Sequence, residues 1–238
     1  MRAVKLAPAV AVMLLACSAG EGETKAGAAG DADPVAGRAV VVGGRQAQVT
    51  PCFTCHGLDG AGDGSGAFPR LAGQAAFYLY KQLIDYASGA RPNRLMSPIA
   101  QQMSEKQMAD VALYYSLQKV SREPSREPLP ETMAALLDHG RRIATEGLPA
   151  AGVQACVYCH GRDGQGMPPS FPYLAGQYAV YSGLQMRLWQ EGVRNNDPLD
   201  VMREIARRMR DEDIRAVSLY FESIAPAAGP AAAGARGE

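Results

Sequence analysis

Cys156-Val-Tyr-Cys159-His160 places two thiols and an imidazole within five residues. The same spacing occurs 104 residues earlier, as Cys52-Phe-Thr-Cys55-His56. Together the two stretches use four of the five cysteines and two of the three histidines in the chain. Zinc held by two CxxC pairs would take the four thiolates and leave both histidines unexplained. A redox-active dithiol needs a βαβ setting, and no alternating strand pattern surrounds either motif. A disulfide across two intervening residues does not account for the histidines. CxxCH is the attachment signature of c-type haem: the thiols add to two vinyl groups, and the next residue is placed to bind iron. Cys52, Cys55, Cys156 and Cys159 are therefore read as attachment points for two covalent haem c groups. His56 and His160 are read as axial ligands.

The likeness between the two halves extends well past these motifs. CHGLDGAGDGSGAFPRLAGQAAFY, from Cys55, returns as CHGRDGQGMPPSFPYLAGQYAVY, from Cys159. Met96-Ser-Pro-Ile-Ala-Gln-Gln-Met103 aligns without a gap on Met202-Arg-Glu-Ile-Ala-Arg-Arg-Met209, and Gly37-Arg38 matches Gly140-Arg141. One unit therefore occurs twice, over 35–121 and 132–225. SREPSREPLPE, Ser121 to Glu131, contains the linker 122–131, stiffened by three prolines. The tail, 226–238, is low in complexity and expected to be disordered.

Each unit reads as helical, and the expected class is all-α. Asp33-Pro34 is a helix start, with Asp as cap and Pro in the first turn. Ser104-Glu-Lys-Gln107 reads as a capping box. Met108, Val111, Tyr114 and Tyr115 then recur at helical spacing, as do Ile214, Val217, Tyr220, Phe221 and Ile224 in the second copy.

The N-terminus has another purpose. Arg2 and Lys5 precede a short apolar run, Leu6 to Ala16, which makes residues 1–17 an export signal. Its end, Leu14-Leu15-Ala16-Cys17, resembles the lipobox of bacterial lipoproteins, with Cys17 as the lipidated residue. Residues 18–34, rich in Ala, Gly and charge, read as a flexible tether. No apolar stretch reaches the ~18 residues of a membrane span. A formal charge of zero gives no pull toward nucleic acid.

An axial histidine leaves one iron face open, and a thioether from a loop ahead of the last helix would fill it. Met96 and Met202 hold equivalent places there. Met103 and Met209 are the rivals, although their position at the start of the last helix suits core packing. His139 has no counterpart in the first copy and is read as a surface or partly buried side chain.

With these features, the chain resembles the two-domain, two-haem cytochromes c of the c4 kind: tandem class I cytochrome c domains joined by a Pro-rich linker. The resemblance rests on CxxCH, FPxLAGQ and MxxIAxxM, and covers about residues 35 to 225. It implies Met96 and Met202 as sixth ligands. It also implies that the carbonyls of Pro69 and Pro172 accept the ring N–H of the axial histidines. The implied function is single-electron transfer on the outer, periplasmic side of a bacterial membrane, toward a terminal oxidase, with a quinol-oxidising complex or another donor upstream. Lipid at Cys17 would anchor it. The alternative is a two-haem redox enzyme, such as a peroxidase or a thiosulfate dehydrogenase, which needs an open or unusually ligated iron.

Overall fold

The computed structural model describes residues 31–43, 49–119 and 131–226. The export signal, Cys17, the tether up to residue 30, linker residues 122–130 and the tail beyond Pro226 lie outside the described residues. The described residues are helical, with only two isolated bridges, Leu148 with Val153 and Met167 with Phe171. No described helix is long and apolar enough to cross a membrane.

The first unit comprises α1 (Pro34–Val41), α2 (Phe53–His56), α3 (Ala76–Ser88), α4 (Met96–Gln101) and α5 (Glu105–Ser116). The second repeats it as α6 (Glu131–Glu146), α7 (Val157–His160), α8 (Ala179–Gln190), α9 (Val201–Arg207) and α10 (Asp211–Ser223). Local chemistry sets several of these ends. The Asp33 carboxylate accepts from Val35 N at 2.8 Å and caps α1. Ser104 and Gln107 form the reciprocal capping box of α5. The apolar stripe of α5 is buried, as are Ile214, Val217 and Phe221 of α10.

In each unit the first helix crosses the last, α1 on α5 and α6 on α10. The glycines matched in the repeat lie at these crossings. A Cβ on Gly37 would fall 2.1 Å from the carbonyl oxygen of Asp110, and one on Gly140 would fall 2.1 Å from that of Ala216. Both obstacles are backbone, so the helices themselves would have to part. His139, beside Gly140, reaches α10, where its Nε2 donates to Asp213 Oδ1 at 2.9 Å. Asp213 is only 2% exposed and also accepts from the Arg210 backbone and guanidinium. Burial alone would raise its carboxyl, but the bonds from Arg210 and His139 outweigh burial and hold it below the usual carboxylate range.

The units dock through their repeated FPxLAGQ segments. Gln74 Nε2 donates to Tyr173 O at 3.0 Å, and its Oε1 accepts from Tyr173 N at 2.9 Å. Gln177 does the same to Arg70, donating to its O at 2.9 Å and accepting from its N at 3.0 Å. Each glutamine thus pairs with the backbone of the variable position in the other copy. That gives the seam a pseudo-two-fold character, in which the same pair of hydrogen bonds forms whether x is Arg or Tyr. Tyr178 adds a hydroxyl bond to Ala61 O at 2.8 Å.

Two helical glycines of the second unit should respond in opposite directions to alanine. Gly140→Ala is expected to destabilise by about 1–3 kcal/mol through overpacking. Gly183→Ala meets only ordinary contacts, at 3.7 and 3.9 Å, and should stabilise by up to about 1 kcal/mol through its backbone entropy. Denaturant unfolding at neutral pH measures both. The Asp213 network adds stability above the carboxyl's unfolded pKa, and this is lost as pH falls through the lowered folded value. Asp213→Asn should therefore unfold more easily near neutrality, yet lose less further stability than wild type on acidification to about pH 3.

Candidate functional site

Each CxxCH forms a single helical turn. His56 N bonds Cys52 O at 3.0 Å, and His160 N bonds Cys156 O at 2.9 Å. The turn brings the two cysteines, three apart, onto one side, with the histidine one residue further on. None of the four cysteines forms a disulfide. Burial pushes the Cys52 and Cys156 thiols up to about 11. Among the described residues no group of three or more His, Cys, Asp or Glu could hold a metal ion directly, so the CxxC pairs do not converge on a zinc site.

Both imidazoles are buried and oriented identically. His56 Nδ1 donates to Pro69 O at 3.0 Å, and His160 Nδ1 donates to Pro172 O at 2.9 Å. A carbonyl can only accept, so Nδ1 carries the proton and Nε2 keeps its lone pair. Phe68 and Phe171 meet the rings edge-on at 6.2 and 6.3 Å. Burial lowers both imidazole pKa values, against the opposing effect of the proline carbonyls, and favours the neutral form that ligation requires. The glycine-rich loop then folds back: Gly62 N bonds His56 O at 2.9 Å and Gly166 N bonds His160 O at 2.8 Å.

These groups border one continuous cavity of about 1240 Å³ that spans both units. Its wall includes the four cysteines, both histidines and both methionine pairs. Met96 opens α4, where its backbone N bonds Asn93 Oδ1 at 2.8 Å. Met202 is the second residue of α9, with its N bonded to Asp197 Oδ2 at 2.7 Å. The sequence reading put these methionines on a loop. They sit on a short helix instead, because side-chain acceptors at Asn93 and Asp197 satisfy backbone groups at its start. Both are half-buried, whereas Met103 and Met209 are 8% and 4% exposed and belong to the two hydrophobic cores.

The lining suits a flat apolar group with anionic edges. Arg70 Nε and Nη1 and Trp189 Nε1 are buried donors with no hydrogen-bond partner among the described residues, and both side chains line the cavity. Haem carries carboxylates that can accept from such donors. The residues present therefore fit haem, with Cys52, Cys55, Cys156 and Cys159 to attach it.

Residues 41–116 match the Cytochrome c family model. A cytochrome c4 from Pseudomonas aeruginosa is 36% identical over 181 residues, covering 75% of this chain and 86% of the relative. The chain belongs to the cytochrome c4 family. It carries covalent haem c in both units and transfers electrons, as the tandem motifs implied. A thiosulfate dehydrogenase electron acceptor from Stutzerimonas stutzeri (strain A1501) is 42% identical over 187 residues, 76% of this chain and 82% of the relative. The crystal structure of reduced recombinant cytochrome c4 from Pseudomonas stutzeri superposes with a TM-score of 0.71 at 32% identity, over 82% of this chain and all of that one. Thiosulfate dehydrogenase (TsdBA) from Marichromatium purpuratum superposes at 0.70 and 33% identity, over 81% of this chain but 40% of its own.

Sequence reasoning overlooked the seam. Gln74 and Gln177, Tyr78 and Tyr181, Gln82 and Gln185, and Arg91 and Arg194 all recur at one offset, which was the available signal. Replacing Cys156 and Cys159 together by alanine should reduce covalent haem from two per chain to one. Intact-protein mass and the alkaline pyridine spectrum would check this. Retention of two would contradict the attachment assignment.

Proposed function

We propose that this cytochrome accepts single electrons from a thiosulfate-oxidising dehydrogenase and delivers them toward a terminal oxidase or comparable acceptor. The observation that carries the reading is the matched site in each unit: one imidazole with Nδ1 engaged, on the wall of a cavity that Met96 and Met202 also line. Bound haem supplies a one-electron Fe(III)/Fe(II) couple. His56 and His160 would bind iron through Nε2, and their bonds to Pro69 and Pro172 fix each ring and raise its basicity. Met96 and Met202 would supply the second protein ligand, which would raise the potential relative to a second histidine. Met103 and Met209 remain in the cores. Iron held by both histidine and methionine would leave substrate no open position, which favours a carrier over a peroxidase or a dehydrogenase.

The donor assignment is supported by two relatives named thiosulfate dehydrogenase electron acceptor. The second, from Thiomonas intermedia (strain K12), is 38% identical. Both exceed the Pseudomonas aeruginosa cytochrome c4 in identity. In the Marichromatium protein, a region similar to this chain makes up part of a longer thiosulfate dehydrogenase polypeptide. The cell context follows from the N-terminus. Residues 1–17 direct export, Cys17 takes the lipid, and the stretch between Cys17 and α1 gives the two units reach from the outer face of a membrane into the periplasm.

Two measurements test the proposal. Met96→Ala and Met202→Ala should each remove about half of the far-red methionine-to-iron band of the oxidised protein, whose two haems have matched ligands. Loss on Met103→Ala or Met209→Ala instead would move the ligand. Thiosulfate with a purified thiosulfate dehydrogenase should reduce both haems rapidly in stopped flow, and failure to do so would remove the donor.

A further inference from the structure

Arg91 and Arg194 occupy matched positions in the two units and are buried, at 5% and 4% exposure. Each serves both units. Arg91 Nη1 donates to Gln82 Oε1 of its own unit at 2.8 Å. Its Nη2 crosses the seam to Gln185 Oε1 at 2.6 Å and the Tyr181 hydroxyl at 2.9 Å. Arg194 mirrors this. Its Nη1 donates to Gln185 Oε1 at 2.8 Å, and its Nη2 crosses to Gln82 Oε1 and the Tyr78 hydroxyl, both at 3.2 Å. The two guanidiniums therefore share the same two amide oxygens. Arg91 also lies over the Tyr86 ring at 4.7 Å and Arg194 over the Trp189 ring at 3.9 Å.

Among the described residues, neither guanidinium has a carboxylate at ion-pair distance. Asp85, the acid that joins this network, pairs with Lys81 and accepts from Asn196 Nδ2 at 2.6 Å. Guanidinium stays charged at any physiological pH. Two such charges buried side by side are strongly unfavourable unless anions neutralise them. Neutral glutamine and tyrosine oxygens cannot do so. Both arginines line the cavity that the two haem sites share, and a haem brings carboxylates.

We propose that Arg91 and Arg194 form one anion site common to both haems, which takes a carboxylate from each, so that either arginine sets the reduction potential of both. An oxidised haem core carries one more positive charge than a reduced one. A fixed cation in a poorly screened interior disfavours the oxidised form and raises the potential. Placed between the units, each cation acts in both directions. Gln82 and Gln185 are positioning residues that hold the pair together.

The test is a redox titration of the full two-haem protein, with each haem followed through its own paramagnetically shifted NMR signals. Arg194→Gln should lower both potentials, by about 59 mV for a tenfold change in a one-electron ratio. The mirror variant Arg91→Gln should do the same, and it answers the question if the first does not yield two-haem protein. Arg194→Lys keeps the charge and should bring both potentials back toward wild type. A shift confined to the haem of the substituted unit would overturn the proposal. So would no shift in either haem, or a lysine variant as low as the glutamine one.

Discussion

A single hydrogen bond organises each half of this protein: the ring Nδ1–H of His56 to the carbonyl of Pro69, and that of His160 to the carbonyl of Pro172. It commits one ring nitrogen to the chain and leaves the lone pair of the other on Nε2. Proline is well suited to the task, because its locked φ stiffens the loop that presents the carbonyl. The same loop continues into Leu-Ala-Gly-Gln, so ligand orientation and unit docking come from one short segment. Leu71 and Ala72 return their backbone N–H groups to Gly60 O at 2.8 and 3.0 Å, and Leu174 and Ala175 return theirs to Gly164 O at 2.7 and 3.1 Å. Gly73 N reaches the last helix at Tyr115 O, and Gly176 N reaches Phe221 O. A shift in the proline loop would be felt at the ring, at the final helix and at the seam.

The halves are not equivalent in every detail. In the first unit, the Tyr114 and Tyr115 hydroxyls reach Leu58 O and Gly57 O at 2.8 and 3.0 Å, tying α5 to the loop behind the attachment helix. Phe221 replaces Tyr115 in the second unit and has no hydroxyl to offer. That unit instead carries the His139–Asp213–Arg210 network between its first and last helices. The second copy is braced by side chains at its helix crossing, while the first has Asp33 N on Asp110 Oδ1 at 2.7 Å there and the tyrosine bonds across its cofactor loop as well. Arg70, with unmatched buried donors, has Tyr173 opposite it, so the electrostatic surroundings of the two haems differ too.

Much of this was legible in the residues. CxxCH is a covalent requirement and tolerates little variation, so the presence of two haem c groups could be read directly. Helix starts at Asp33 and Ser104 were visible because capping is local chemistry. The short helices that carry Met96 and Met202 were less so. Asn93 makes an ordinary capping pattern, accepting from the N–H groups two and three residues on, but Asp197 acts from five residues upstream of Met202, outside any such pattern. His139 showed no motif because its partner lies 74 residues away. The glutamines of FPxLAGQ were visible as repeated letters, but their purpose was not. A residue that pairs with another unit's backbone leaves no complementary side chain to find.

That last property has an evolutionary edge. Because Gln74 and Gln177 grip main-chain atoms, position x is Arg in one copy and Tyr in the other while the same pair of seam bonds is kept. The two halves were thereby free to diverge in charge and in redox surroundings while remaining fastened. A half could then be exchanged between relatives that keep the glutamine, the proline loop and the arginine–glutamine–tyrosine network beside them, with the join behaving as a universal coupling.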